Sequence, residues 1–486
     1  MKHVFRLLAA ATVAVCQLAI VSCERSSQPR DPSTVARVVG RLPEREARAL
    51  PALMHRIMAQ AHIPGAAVAI VRNGKVEWMS TYGSANTEYK VNVVPETPFQ
   101  IASATKIYTA VLLLRMVEQH KLSLDDPVTK YIPNAPPAWR RITIRNLATH
   151  TSGLGPSPVD AGVITAAQAL PFIFKGTPIA APGERATYSS PDFTPLQFVL
   201  EKVGGKSFGQ LLHDEVLAPA GMRCTSFDHA VEFGPQRIAY DIPGRAEYYR
   251  WSDTVNQRRW FLYTQYAYAA GGVYSCVRDM ATLIAALDAG TLLSPASMEL
   301  IETPARLNDG ASANFSIGLT SNNYRGKHWI GHSGGPAFSD VMYFPGEHLG
   351  IIVFTNQQRL YPLIASLIAD QLIPAPSNYT VGIRDDFPAL TNALRKLVGG
   401  IAKGAADGSL LVDADRESTV ADLDDVGPVW VGLLGPVTRI VLVSDATAPD
   451  GGRKRRYRVM FGDHGQGIDV AFDRKGKISD FQPNGD

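Results

Sequence analysis

Ser103 and Lys106 stand three residues apart at the head of an apolar stretch, TPFQIASATKIYTAVLLLRMVEQ, residues 97–119. On a helix that spacing makes them neighbours on one face. A hydroxyl beside a partly desolvated amine is a candidate nucleophile, because burial favours the neutral, proton-accepting amine. The amides of a helix's first turn lack intrahelical partners and can serve an oxyanion. The plain alternative is that Ser103 caps the helix and Lys106 stretches to water. Ile107, Val111, Leu114 and Val117 recur at helical spacing, and Leu112, Leu113 and Met116 make the surface apolar nearly all round. The helix that carries the pair is therefore expected to be buried.

Other stretches imitate catalytic motifs. Gly331-His332-Ser333-Gly334-Gly335-Pro336 fits the Gly-x-Ser-x-Gly elbow, but that elbow turns from strand to helix and strand-like text follows here. It also approaches the Gly-Asp-Ser-Gly-Gly-Pro run of chymotrypsin-like proteases, without a matching histidine segment elsewhere. Gly205-Lys206-Ser207-Phe208-Gly209 looks like the end of a phosphate loop, yet the earlier glycine that loop needs is Leu200. A helix-ending turn accounts for those glycines. His328 and His332 share a strand face without a third ligand at recognisable spacing, so neither a metal nor another cofactor is expected. Arg453-Lys454-Arg455-Arg456 adjoins a turn and reads as a solvated hairpin rather than a nucleic-acid patch.

The chain has 486 residues, with 45% hydrophobic and 19% charged content and a formal charge of +3. That length accommodates two or three domains, and so small a charge points to no nucleic-acid partner. Lys2 and Arg6 precede an apolar run over residues 7–21, too short to span a bilayer comfortably and typical of a secretory signal. The run ends Ile20-Val21-Ser22-Cys23, similar to a bacterial lipobox. Residues 1–22 are read as a lipoprotein-type signal peptide, Cys23 as the lipidation site, and residues 23–43 as a polar tether. The implied location is the cell envelope, with the membrane held through the lipid; a soluble export product cut near Ser22 is the alternative. Of the remaining cysteines, Cys224 and Cys276 either bridge or stay as buried thiols.

Apolar runs over residues 66–71 and 76–82 flank Asn73-Gly74, a hairpin signal. Helices are expected over residues 193–203, 279–287 and 363–372, and strands over 328–330, 341–344 and 349–354. Pro374-Ala375-Pro376 marks a boundary. Beyond it, one amphipathic helix over residues 387–398 and short β-rich runs suggest an independent α+β domain, residues 378–486, after a main domain of residues 44–374.

Three segments in order resemble the boxes of the class C β-lactamase-like serine hydrolases, a family that includes penicillin-recognising enzymes, D-amino-acid peptidases and esterases. Ser103-Ala104-Thr105-Lys106 is similar to the Ser-x-x-Lys box, Tyr188-Ser189-Ser190 to Tyr-x-Asn, and His332-Ser333-Gly334 to Lys-Thr-Gly or its His-x-Gly variant. Residues 124–128, 147–154, 219–222 and 271–275 also read like the family, so the resemblance covers about residues 45 to 372. It implies an α/β (α+β) fold of β-lactamase/transpeptidase type: an antiparallel sheet flanked by helices, plus an all-helical lobe. It further implies Ser103 as nucleophile, Lys106 and Tyr188 as a shared base, and the N–H groups of Ser103 and Gly335 as the oxyanion hole. Ser190, His332, Ser333 and Gly334 would meet the substrate.

Two departures bear on specificity. Ser190 replaces an Asn that hydrogen-bonds an amide-type substrate from both sides, and His332 replaces a lysine that would grip a carboxylate. The expected activity is hydrolysis of an ester or small amide through an acyl-enzyme, with esters preferred. The alternatives are a β-lactamase, a D-alanyl-D-alanine carboxypeptidase or D-aminopeptidase, and a non-catalytic envelope receptor. The C-terminal domain is expected to be accessory, narrowing the cleft or docking to the envelope.

Overall fold

The computed structural model describes residues 35–486, apart from residues 161, 229–230, 234–235, 239–240, 253, 260–261, 336–338, 358–362, 413–415, 449 and 485–486. The expected signal segment, Cys23 and the first part of the expected tether lie outside the described residues, as does Pro336; the rest of the tether is corrected, since residues 35–40 form a strand of the main sheet paired with residues 78–82. Among the described residues no helix is long and apolar enough to cross a membrane.

Seven strands form the path of the main antiparallel sheet: β1 (Val35–Gly40), β2 (Gly65–Arg72), β3 (Lys75–Asn86), β4 (Thr320–Tyr324), β5 (Lys327–Gly334), β6 (Ser339–Phe344) and β7 (Leu349–Thr355). Their order is β1-β3-β2-β7-β6-β5-β4, and the two-residue strand Val91–Asn92 adds to β3. Asn73, in the left-handed region at φ 51°, makes the tight turn between β2 and β3. β2 and β7 pair at the sheet's centre and are apolar on both faces, which is why their text shows no alternation.

The two faces carry different cores. Ala67, Ala69 and Val71 of β2 join the apolar cluster of α2 (Thr105–Glu118), α4 (Phe193–Gly204) and α5 (Val277–Asp288). Ala66, Val68 and Ile70, alternate residues of the same strand, join that of α1 (Glu44–Gln60) and α6 (Ile364–Leu372). The short α3 (Ile144–Ala148) belongs with α2 and α4. Cys224 and Cys276 are joined in a disulfide, with Cα atoms 5.7 Å apart.

The C-terminal region holds α7 (Pro388–Ile401), α8 (Arg416–Leu434) and a separate four-stranded antiparallel sheet, β8 (Arg439–Thr447), β9 (Arg453–Phe461), β10 (His464–Phe472) and β11 (Ile478–Asn484). Three expectations are corrected here. The region has a second helix, α8, whose acidic residues and internal Gly427-Pro428 hide its apolar residues from a periodicity reading. A Cβ on Gly427 would lie 2.3 Å from Ile401 Cγ2, so the glycine lets α8 pack tightly on α7. Nor is the region independently packed: Leu394, Leu397, Trp430 and Tyr457 belong to one apolar cluster with Leu50, Met54 and Ile57 of α1. It packs on α1, one of the helices on the sheet face opposite α2.

The third correction concerns the basic run. Arg455 is fully buried, because alternate residues of β9 point inward. Its guanidinium pairs with Asp385 at 2.9 Å and Asp445 at 2.7 Å, and donates to Tyr457 Oη at 2.9 Å. Arg325 makes a second polar lock, pairing with Asp370 at 2.7 Å and donating to the carbonyls of Ile373 at 2.6 Å and Asp463 at 2.8 Å.

Candidate active site

Ser103 lies in a single 3-10 turn, Ala102–Ala104, that feeds directly into α2. Ala102 has φ 47°, a left-handed conformation that costs a residue with a Cβ about 1–3 kcal/mol and is sustained by the surroundings. Those surroundings are β5 and β6: Ser339 Oγ donates to the Ile101 carbonyl at 2.7 Å, and a Cβ on Gly334 would lie 2.0 Å from that same oxygen. Gly334 is therefore required for β5 to approach the serine turn. Gly335 follows it at the exposed strand end, its carbonyl accepting from Tyr263 Oη at 3.4 Å.

Neither plain role holds for the opening pair. Ser103 makes no capping bond, and Lys106 is 0% exposed. Lys106 Nζ donates to the Ala270 carbonyl at 2.7 Å and to Tyr188 Oη at 3.0 Å, while Tyr188 Oη donates to Ser103 Oγ at 2.8 Å. The phenol thus bridges amine and serine. Among the described residues no carboxylate lies within ion-pair distance of Lys106, and its ammonium instead faces the Tyr188 and Phe193 rings at 5.1 and 4.9 Å. Burial pushes the Lys106 amine below its ordinary range. Burial pushes the Tyr188 phenol up, but the Lys106 charge and the hydrogen bonds of Lys106 and Ser103 outweigh it, so its net shift is downward. Amine and phenol converge, the condition for sharing one proton near neutral pH.

His332, on β5, is buried, with its ring centroid 5.8 Å from that of Tyr188. Burial, aided by the Lys106 charge, pushes its imidazole down to about 3. The neutral ring donates through Nδ1 to the Ser333 carbonyl at 2.6 Å. It adds no cation to the site. Ser190 is exposed beside Tyr188, and Ser333 is half-buried next to His332.

Sequence reasoning missed the support behind Tyr188. α3 opens with a capping box, Thr143 with Asn146, and Asn146 Nδ2 reaches on to Thr151 Oγ1 at 3.0 Å. That fixes the turn through His150, whose φ is 57°. The Tyr188 loop is laced to this turn by backbone bonds: Ile179 N–H to the Gly153 carbonyl, Gly183 N–H to Thr151, and Thr187 N–H to His150. A Cβ on Gly153 would lie 2.1 Å from the Ala180 carbonyl, which explains the glycine. His150 and Asp192 pair at 3.1 Å and are both buried. The only sequence signal for His150 was the likeness of residues 147–154 to the family, and Asp192 had none.

The family model for Beta-lactamase matches residues 50–370, well over half the chain and spanning all these groups. The chain belongs to the beta-lactamase family. It has the fold that the three boxes imply. It is 28% identical over 251 residues to "Putative penicillin-binding protein PbpX" of Bacillus subtilis, covering 51% of this chain and 60% of that protein. It is 25% identical over 320 residues to "Penicillin-binding protein 4*" of the same organism, covering 62% and 70%. The chain therefore spans about three fifths of the first relative's length. Among solved structures it resembles "EstCE1, a hydrolase with promiscuous acyltransferase activity", with a TM-score of 0.57 and 23% identity over 68% of this chain and 98% of that one. The D-amino acid amidase from Ochrobactrum anthropi SV3 is similar at TM-score 0.57 and 21% identity, over the same shares.

Proposed function

We propose that this protein hydrolyses a neutral ester, or a small amide less readily, through an acyl-enzyme on Ser103. The observation that carries the reading is the bridge of Tyr188 Oη between Ser103 Oγ and Lys106 Nζ. Neutral Lys106 draws the phenolic proton, and the phenolate oxygen takes the hydroxyl proton as Ser103 attacks the carbonyl. The N–H groups of Ser103 and Gly335 receive the oxyanion. Tyr188 then returns the proton to the leaving alkoxide, and water repeats the sequence to release the acid. The neutral His332 and the short Ser190 hydroxyl disfavour β-lactams and D-alanyl peptides, which present a carboxylate and an amide to these positions.

A fluorophosphonate probe should label wild-type protein and not Ser103→Ala; a folded wild type that resists labelling supports the receptor reading instead. Initial rates on p-nitrophenyl acetate should exceed those on nitrocefin by at least about 100-fold, the scale of one lost charged hydrogen-bonding pair. Comparable rates would reverse the preference. Export with lipid attached at Cys23 is part of the proposal, and palmitate incorporation that survives Cys23→Ala would remove it.

A further inference from the structure

We propose that His150 is the positioning residue for Tyr188, and that Asp192 holds it there as a neutral carboxylic acid. The proposal rests on the reading of Ser103, Lys106 and Tyr188 as the reacting groups. His150 grips the chain on both sides of the tyrosine: its carbonyl accepts the Thr187 N–H at 2.9 Å, and its Nδ1 accepts the Ser189 N–H at 3.3 Å. Its ring packs on the Tyr188 ring, with centroids 4.8 Å apart, and Phe193 and Phe315 close around it at 5.3 and 5.0 Å. One residue thus fixes backbone and ring of the group that must reach Ser103 Oγ.

The protonation of Asp192 follows from counting donors. Nδ1 turns its one lone pair toward both the Ser189 N–H at 3.3 Å and Asp192 Oδ2 at 3.1 Å; a proton on the carboxyl, sharing that lone pair, removes the repulsion a carboxylate would meet there. The other oxygen has a hydroxyl donor, Ser152 Oγ, which itself accepts the Leu154 N–H at 3.0 Å. An ionised buried carboxylate ordinarily gathers several donors. Asp192 precedes α4 in the capping position and yet makes no bond to that helix's amides. Burial pushes its carboxyl well above the usual range and pushes the His150 imidazole well below. The titratable groups facing the pair are Lys106, Tyr188 and His332. With Asp192 and His150 both uncharged, the mobile charge beside Ser103, among the described residues, is the proton shared by Lys106 and Tyr188.

The test uses the full chain with p-nitrophenyl acetate. His150→Ala should lower kcat about 100-fold, the cost of misplacing a catalytic group by about 1 Å, with KM changed less than about threefold. His150→Asn, which tolerates the left-handed backbone and keeps an acceptor for Ser189, should recover about tenfold of that loss. Asp192→Asn reproduces a neutral donor–acceptor pair, so kcat should stay within about threefold and the acid limb of the pH profile should not move. At neutral pH, the infrared difference between Asp192→Asn and wild type should show loss of a protonated-carboxyl stretch. Unchanged kcat in His150→Ala overturns the positioning role. Loss of a carboxylate band, or a shifted acid limb in Asp192→Asn, overturns the neutral acid. If His150→Ala fails to fold, His150→Asn decides, because a folded variant at wild-type kcat with altered KM overturns the role. If wild-type Ser103 resists the fluorophosphonate, the hydrolase reading fails by itself, and the infrared band still decides the state of Asp192.

Discussion

Lys106 and Arg455 are both buried cations, one under the serine turn and one inside the C-terminal sheet region, and they are treated in opposite ways. Arg455 meets two carboxylates, Asp385 and Asp445, and a phenol, Tyr457. Burial pulls its charge down, but those partners more than restore it, and the Asp385 and Asp445 carboxyls are held below their usual range in return. Lys106 meets a carbonyl and a phenol. Its charge is left under-compensated, so its proton is easily given up. A charge matched on all sides builds structure, and a charge left short of partners moves protons.

The strongest way to break this contrast is to remove each cation. Lys106→Met should lower kcat on the nitrophenyl ester by about 10²–10⁴-fold, the usual worth of a positioned base. Its urea midpoint should stay level or rise, because a strained, desolvated amine is replaced by a methylene chain of similar shape. Arg455→Ala should do the reverse. Its loss leaves half-buried Asp385 without a cation and Asp445 with Arg453 alone, which costs about 1.5–3 kcal/mol of stability, read by denaturant unfolding, with kcat per folded molecule unchanged. If Lys106→Met were the less stable of the two, the contrast would be lost.

A smaller effect sharpens the contrast. Asp340 of β6 is buried, accepts the Ala365 N–H at 3.0 Å, and is pushed up by burial to about 7 from an ordinary 3.8. The folded state therefore holds a proton that the unfolded chain has lost, and this contribution to stability fades as pH rises from about 4 to about 7. Asp340→Asn keeps the acceptor without the charge and should raise Tm at pH 8 by about 3 °C, with little change at pH 4. Equal shifts at both pH values would show that the group does not titrate there. Under-compensation alone does not make a site; the Asp340 carboxyl is taken up by the Ala365 N–H of α6.

The contrast also explains what the sequence disclosed. Ser103, Lys106, Tyr188 and His332 carry unusual chemistry in short segments of fixed order, and the structure brings them together from a helix head, a loop and a strand end. The central strands and the helices of both layers were readable because long apolar runs leave few choices. His150 and Asp192 were not, since a histidine among threonines and an aspartate before a helix each have commoner uses, and their partnership joins residues 42 apart. Arg455 was misread because its neighbours share its sign, while the Asp385 and Asp445 that justify its burial lie on other elements. α8 was missed because Glu417, Asp424 and Gly427-Pro428 interrupt an apolar face completed only by α7 and α1.

That last contact has a consequence for how the molecule is made. α1 is among the first described elements, yet part of its apolar face is covered by residues from about 394 to 478, near the chain's other end. A ribosome or a translocon delivers the chain from its first residue onward. Until the final strands arrive, Leu50, Met54 and Ile57 lack part of their cover. Completion of the C-terminal sheet is thus a checkpoint, and a chain cut short before it would emerge with its first helix still sticky, a target for holding chaperones and proteases.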